Sequence, residues 1–87
     1  MHTTYILFSE KLQKFYIGFT SGSMLVRLQK HLINKTGFTS KAKDWTIVFT
    51  ESFNVKSDAM RREKELKGWK SHIRIKELIV RSKFNNE

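Results

Sequence analysis

At 87 residues, with 39% hydrophobic side chains that include seven Phe, two Tyr and two Trp, the chain is sized for one compact domain over residues 1–87 and leaves no room for a second. Seventeen Lys and Arg against eight Asp and Glu give a formal charge of +9, which points to a polyanionic partner, nucleic acid first and an anionic membrane surface second. The absence of cysteine excludes disulfides, thiol nucleophiles and thiolate zinc sites, so His, Asp and Glu are the side chains left for a metal.

No apolar stretch approaches the ~20 residues of a membrane span and the amino terminus lacks the apolar core of a signal peptide, so a cytoplasmic location is expected. Residues 3–8 and 15–19 are β-branched and aromatic runs joined by a polar stretch, which predicts a hairpin. Alternation in the second run places Phe15, Ile17 and Phe19 on one face and Tyr16 and Gly18 on the other, so Tyr16 is expected to point away from the apolar side. Met24, Leu25, Leu28 and Leu32 recur at helical spacing, with Arg27 and His31 sharing a face four residues apart. Residues 34–43 are polar, with Gly37 and three Lys, and predict a loop able to touch phosphates. Trp45, Ile47 and Phe49 form the expected inner face of a third strand over residues 45–50.

Ser57 or Asp58 is placed to cap a helix running through Ala59, Met60, Glu63 and Leu66 to Lys67, and Gly68 to end it in a left-handed conformation. A last helix is expected from near Ser71, with Ile75, Leu78 and Ile79 buried. The order β-β-α-β-α-α implies a small sheet with helices packed on it, an α/β or α+β domain; the strand order stays open.

Glu63 falls on the helical stripe of Ala59 and Leu66, where an apolar residue is the rule. A carboxylate there calls for a cationic partner, hydrogen bonds or a metal. Arg27 offers a guanidinium fork that matches phosphate oxygens, and Gly18 permits close approach to the backbone.

Taken as a set, Thr3-Thr4-Tyr5, then Tyr16-Ile17-Gly18, then Arg27-Leu28-Gln29-Lys30-His31, then Ala59-Met60-Arg61-Arg62-Glu63 resemble the GIY-YIG nuclease superfamily in order and spacing. The chain looks similar to its small stand-alone bacterial members and to the amino-terminal domain of the excision-repair nuclease. Thr3 and Thr4 depart from the usual opening of the first tripeptide, where the residues contribute mainly strand backbone, and Phe38 stands where tyrosine is frequent. The resemblance implies a three-stranded antiparallel sheet flanked by helices. It also implies a metal-dependent endonuclease, acting on DNA ahead of RNA, with a role in DNA repair.

Carried over residue by residue, the resemblance makes Glu63 the protein ligand of one Mg²⁺ or Mn²⁺ ion and Tyr16 the residue that helps activate water. Arg27 would neutralise charge on the phosphoryl group, while Tyr5 and His31 orient the nucleophile and its base. Such chemistry needs positioned water and charge stabilisation above all, and one carboxylate suits Mg²⁺, which keeps several waters. Gly18, Lys41, Lys43, Arg61 and Arg62 are the expected nucleic-acid contacts. The rival expectations are a non-catalytic nucleic-acid-binding module built on the same basic face, and a small interaction subunit of a larger enzyme.

Overall fold

A computed structural model describes residues 1–85. Three strands, β1 (His2–Ser9), β2 (Lys14–Thr20) and β3 (Thr46–Phe53), and three helices, α1 (Met24–Ile33), α2 (Lys56–Trp69) and α3 (His72–Asn85), follow in the order β-β-α-β-α-α, with a 3-10 turn at Phe38–Lys41 before β3. The sheet is antiparallel with strand order β2-β1-β3, so the fold is the α+β class expected.

β1 is central, and its run of unbroken burial from Thr4 to Leu7 follows from helices covering both faces of the sheet. On one face Tyr5, Leu7 and Trp45 pack with Tyr16, Met24, Leu28 and Leu32 under α1 and the 3-10 turn. On the other, Ile6 and Phe49 pack with Leu66, Ile75 and Ile79 under α2 and α3. Tyr16 therefore does not face away from apolar side chains: its side of β2 is a second core, which alternation within one strand cannot reveal.

Four further expectations change. Trp45 and Ile47 lie on the α1 face but Phe49 on the α2 and α3 face. The register slips between Ile6 and Leu7, which pair with Phe49 and Ile47, so Val48 is an extra residue that resets the alternation. Leu25 is exposed and takes no part in the buried stripe of α1. Gly68 lies inside α2, and Lys70, at φ 50°, takes the left-handed position after it. Finally, α2 starts after Val55 without a side-chain cap, Ser57 and Asp58 lying in its first turn. The start of α3 is close to expectation, with Ser71 Oγ accepting from the Arg74 amide at 3.3 Å.

Candidate active site

Tyr5 sits at the middle of the central strand and is completely buried. Its register partner on β2 is Gly18, and a Cβ built at Gly18 would stand 2.6 Å from the Tyr5 hydroxyl and 2.8 Å from Cζ. The phenol ring thus lies directly across the space that any other residue at position 18 would fill, which is the physical reason for glycine there.

The hydroxyl of Tyr5 meets two side chains from α1. Arg27 Nε donates to it at 3.2 Å, and His31 Nε2 lies 2.8 Å away. Spacing of four residues on a helix stacks Arg27 and His31 along one face, so one phenol engages both. α1 itself starts at Ser23, whose hydroxyl accepts from the Val26 amide at 3.4 Å. His31 is buried, and its second nitrogen, Nδ1, lies 3.0 Å from the Thr39 hydroxyl in the 3-10 turn. The Thr39 carbonyl accepts the Trp45 indole N–H at 2.9 Å. Thr39 and Trp45 are residues that sequence reasoning did not assign to the site; the signals were their place in a polar loop leading to a strand and the likeness of the stretch from Phe38 to Trp45 to the small stand-alone family members.

Tyr16 closes the aromatic wall. Its ring centroid is 4.9 Å from that of His31 in an edge contact and 6.5 Å from that of Tyr5. Phe38 stacks on it at 6.2 Å with planes 19° apart. The Tyr16 hydroxyl makes no hydrogen bond among the described residues.

The environment divides these groups by charge. Burial pushes the Tyr5 hydroxyl above its ordinary value of 10.0, with Arg27 pulling part of the way back, so Tyr5 is a neutral phenol at neutral pH. The hydrogen bond to Tyr5 raises Arg27 further above its already high ordinary value, leaving it a permanent cation. Burial, helped by the Arg27 charge, lowers His31 below 6.5, so the imidazole is neutral.

Glu63 projects from α2, which is pinned to the sheet by a buried hydrogen bond: Thr4 Oγ1 donates to the Ala59 carbonyl at 2.6 Å. In an α-helix that carbonyl also accepts from the amide of residue 63, so Thr4 fixes the turn that carries Glu63. Thr4 was expected to contribute mainly strand backbone, and this contact adds a side-chain role. The Glu63 carboxylate is close enough for its charge to act on both Tyr5 and Arg27. Lys67 Nζ donates to Oε2 at 3.1 Å, and the side chain keeps 21% of its surface exposed.

Among the described residues no group of three or more His, Asp or Glu gathers to hold a metal. An ion held by Glu63 would take one protein carboxylate and complete its shell with water and substrate oxygens, which suits Mg²⁺.

The basic residues divide. Lys41 and Lys14 place their ammonium groups 5.3 and 5.9 Å from the Phe38 ring centroid, beside Tyr16. Lys43 is tied to the Asn34 carbonyl at 2.9 Å. Arg61 is exposed and pairs loosely with Asp58 at 3.5 Å. Arg62 donates to Glu51 at 3.0 Å and to Glu65, and lies over the Trp69 ring. Its charge is spent on the β3 side of α2.

A family model described as the GIY-YIG catalytic domain matches residues 1–76. No curated protein and no solved structure matches the chain.

Proposed function

The chain belongs to the GIY-YIG nuclease superfamily, and on that premise we propose that it is a divalent-metal-dependent endonuclease that hydrolyses nucleic-acid phosphodiester bonds, DNA ahead of RNA. The Arg27–Tyr5–His31 chain carries the proposal: a permanent cation and a neutral imidazole share one buried phenol, beside Tyr16 and Glu63. Glu63 would hold the ion, Mg²⁺ or Mn²⁺, which supplies charge neutralisation at the phosphate when bound.

Hydrolysis forms a bond from a water oxygen to phosphorus and breaks the bond to the leaving oxygen, which takes up a proton. With only Nε committed to Tyr5, the terminal guanidinium nitrogens of Arg27 make no hydrogen bond among the described residues, and they fit the phosphoryl oxygens on which charge develops. The free Tyr16 hydroxyl accepts a hydrogen bond from the attacking water and so assists it, while the proton the water loses passes to bulk solvent, which also supplies the proton taken up by the leaving oxygen. Tyr5 and His31, locked by burial and hydrogen bonds, hold Arg27 in place. The +9 charge supplies affinity for phosphates with little base readout. No helix among the described residues is long and apolar enough to cross a membrane.

The test is to incubate the purified protein with labelled single-stranded, duplex and branched DNA and RNA, with and without Mg²⁺ or Mn²⁺. Metal-dependent cleavage of at least one substrate is expected. Binding that weakens steeply with salt, with no cleavage under any condition, would instead establish the non-catalytic module. The Lys67–Glu63 ion pair favours that second reading, since it occupies one oxygen of the carboxylate.

A further inference from the structure

We propose that Thr39 is a positioning residue: it holds His31 in the tautomer protonated on Nδ1, so that Nε2 is the acceptor for the Tyr5 hydroxyl. This deepens the nuclease proposal, on which the importance of Tyr5 and His31 rests.

Three side chains form a line. Tyr5 Oη and His31 Nε2 are 2.8 Å apart, and His31 Nδ1 and Thr39 Oγ1 are 3.0 Å apart. A neutral imidazole has one N–H, while Tyr5 and Thr39 each bring one O–H. Three hydrogens thus serve two contacts, and one of two arrangements holds. Either Tyr5 donates to Nε2 and Nδ1–H donates to Thr39, or Thr39 donates to Nδ1 and Nε2–H donates to Tyr5.

One observation selects the first. The Tyr5 oxygen already accepts from Arg27 Nε, so a second incoming N–H would leave the phenol hydrogen without its imidazole partner, whereas donation to Nε2 lets the same oxygen donate once and accept once. The leftover hydrogen then rests on Thr39, at the end of the line opposite Tyr5.

Thr39 is itself held. It is buried at 3% exposure, and its carbonyl is fixed by the Trp45 indole, so its hydroxyl is a stationary acceptor. The 3-10 turn thereby acts on the Tyr5 hydroxyl through the imidazole of His31. A partner on the second nitrogen that fixes an imidazole's tautomer and ring orientation is a recurrent arrangement in functional sites.

The experiment is long-range ¹H–¹⁵N correlation spectroscopy of the imidazole rings in the full chain at neutral pH, with His31 assigned through His31→Gln, applied to the wild type, Thr39→Ser and Thr39→Val. Wild type and Thr39→Ser are expected to show His31 as the Nδ1–H tautomer. Thr39→Val, which keeps the shape but offers no acceptor, is expected to shift it toward Nε2–H or a mixture. In cleavage assays Thr39→Val is expected to lose about tenfold or more in kcat with KM little changed, and Thr39→Ser to restore it.

A wild-type spectrum showing Nε2–H overturns the proposal without any variant. So does a folded Thr39→Val with an unchanged tautomer, or a loss in Thr39→Val that Thr39→Ser fails to repair, which would mark Thr39 as packing alone. An inactive wild type with the Nδ1–H tautomer would refute the nuclease proposal and leave the role of Thr39 in orienting His31 standing.

Discussion

Tyr5 and His31, 26 positions apart in the chain, bring their hydroxyl and Nε2 to 2.8 Å inside the protein. The contact joins the central strand to α1 at the point where Arg27 also arrives. Tyr5→Phe keeps the ring and its packing while removing the shared oxygen. It leaves Arg27 Nε and His31 Nε2 without that partner, so stability should fall by about 1–3 kcal/mol. Cleavage should fall far more, because Arg27 loses its anchor. A thermal melt and a single-turnover assay on the same preparation check both, and a variant that cuts normally would remove Tyr5 from the site.

Gly18→Ala tests the closeness of β2 to the same phenol. The new methyl would stand 2.6 Å from the Tyr5 hydroxyl and 3.2 Å from Tyr16 Cε2, so the ring must shift. Overpacking of this kind costs about 1–3 kcal/mol. Both Arg27 and His31 should lose register with Tyr5, and activity should drop at temperatures where the variant is still folded. Gly22→Ala is the control, since nothing lies within 4 Å of a Cβ there; equal behaviour of the two variants would contradict the crowding.

Glu63→Gln separates a metal ligand from an ion-pair partner. The Lys67 contact is a one-turn helix pair whose two side chains are 54% and 21% exposed, worth about 0.3–0.5 kcal/mol. The melting temperature should therefore hardly move, while metal-dependent cleavage collapses and nucleic-acid binding persists or strengthens. Wild-type cleavage by the folded variant would sink the proposed mechanism.

Arg27→Lys keeps the charge but cannot both hold Tyr5 through one nitrogen and present a fork to phosphate. Affinity measured by titration should change little while single-turnover rate falls sharply. Parallel losses in the two would assign Arg27 to general electrostatics.

The buried imidazole makes stability depend on pH. His31 is held below its ordinary 6.5 in the folded protein, so the unfolded chain takes up a proton first as pH falls. Its contribution is complete above 6.5 and declines progressively below it. Asp44, lowered from 3.8 by the Ser9 hydroxyl and the Lys11 amide, behaves likewise in a more acidic window. Melting curves between about pH 8 and 5 should show a decline in the wild type that is smaller in His31→Gln; parallel curves would contradict the assignment.

Much of this arrangement was legible in the sequence because it depends on local periodicity. Strand alternation placed Phe15 and Ile17 opposite Tyr16, and four-residue spacing put Arg27 and His31 on one helical face. A carboxylate on the stripe of Ala59 and Leu66 marked Glu63. The motif spacing identified the family, because those side chains must occupy these elements in this order to meet.

Only the tertiary structure decided what depends on partners distant in sequence. Val48 bulges because Ile6 and Leu7 pair across it, which turns Phe49 to the opposite face from Ile47. Tyr16 faces a core because α1 and the 3-10 turn cover that side of the sheet. Arg62 is tied to Glu51, eleven residues earlier, by a partner that no local pattern reveals. Thr4 and Thr39, unremarkable in composition, gain their roles from a helix carbonyl and an imidazole that folding brings to 2.6 and 3.0 Å. Hydrogen bonds and packing act over a few ångströms in space whatever the separation along the chain, so a one-dimensional pattern records the faces of each element but not which groups meet across them.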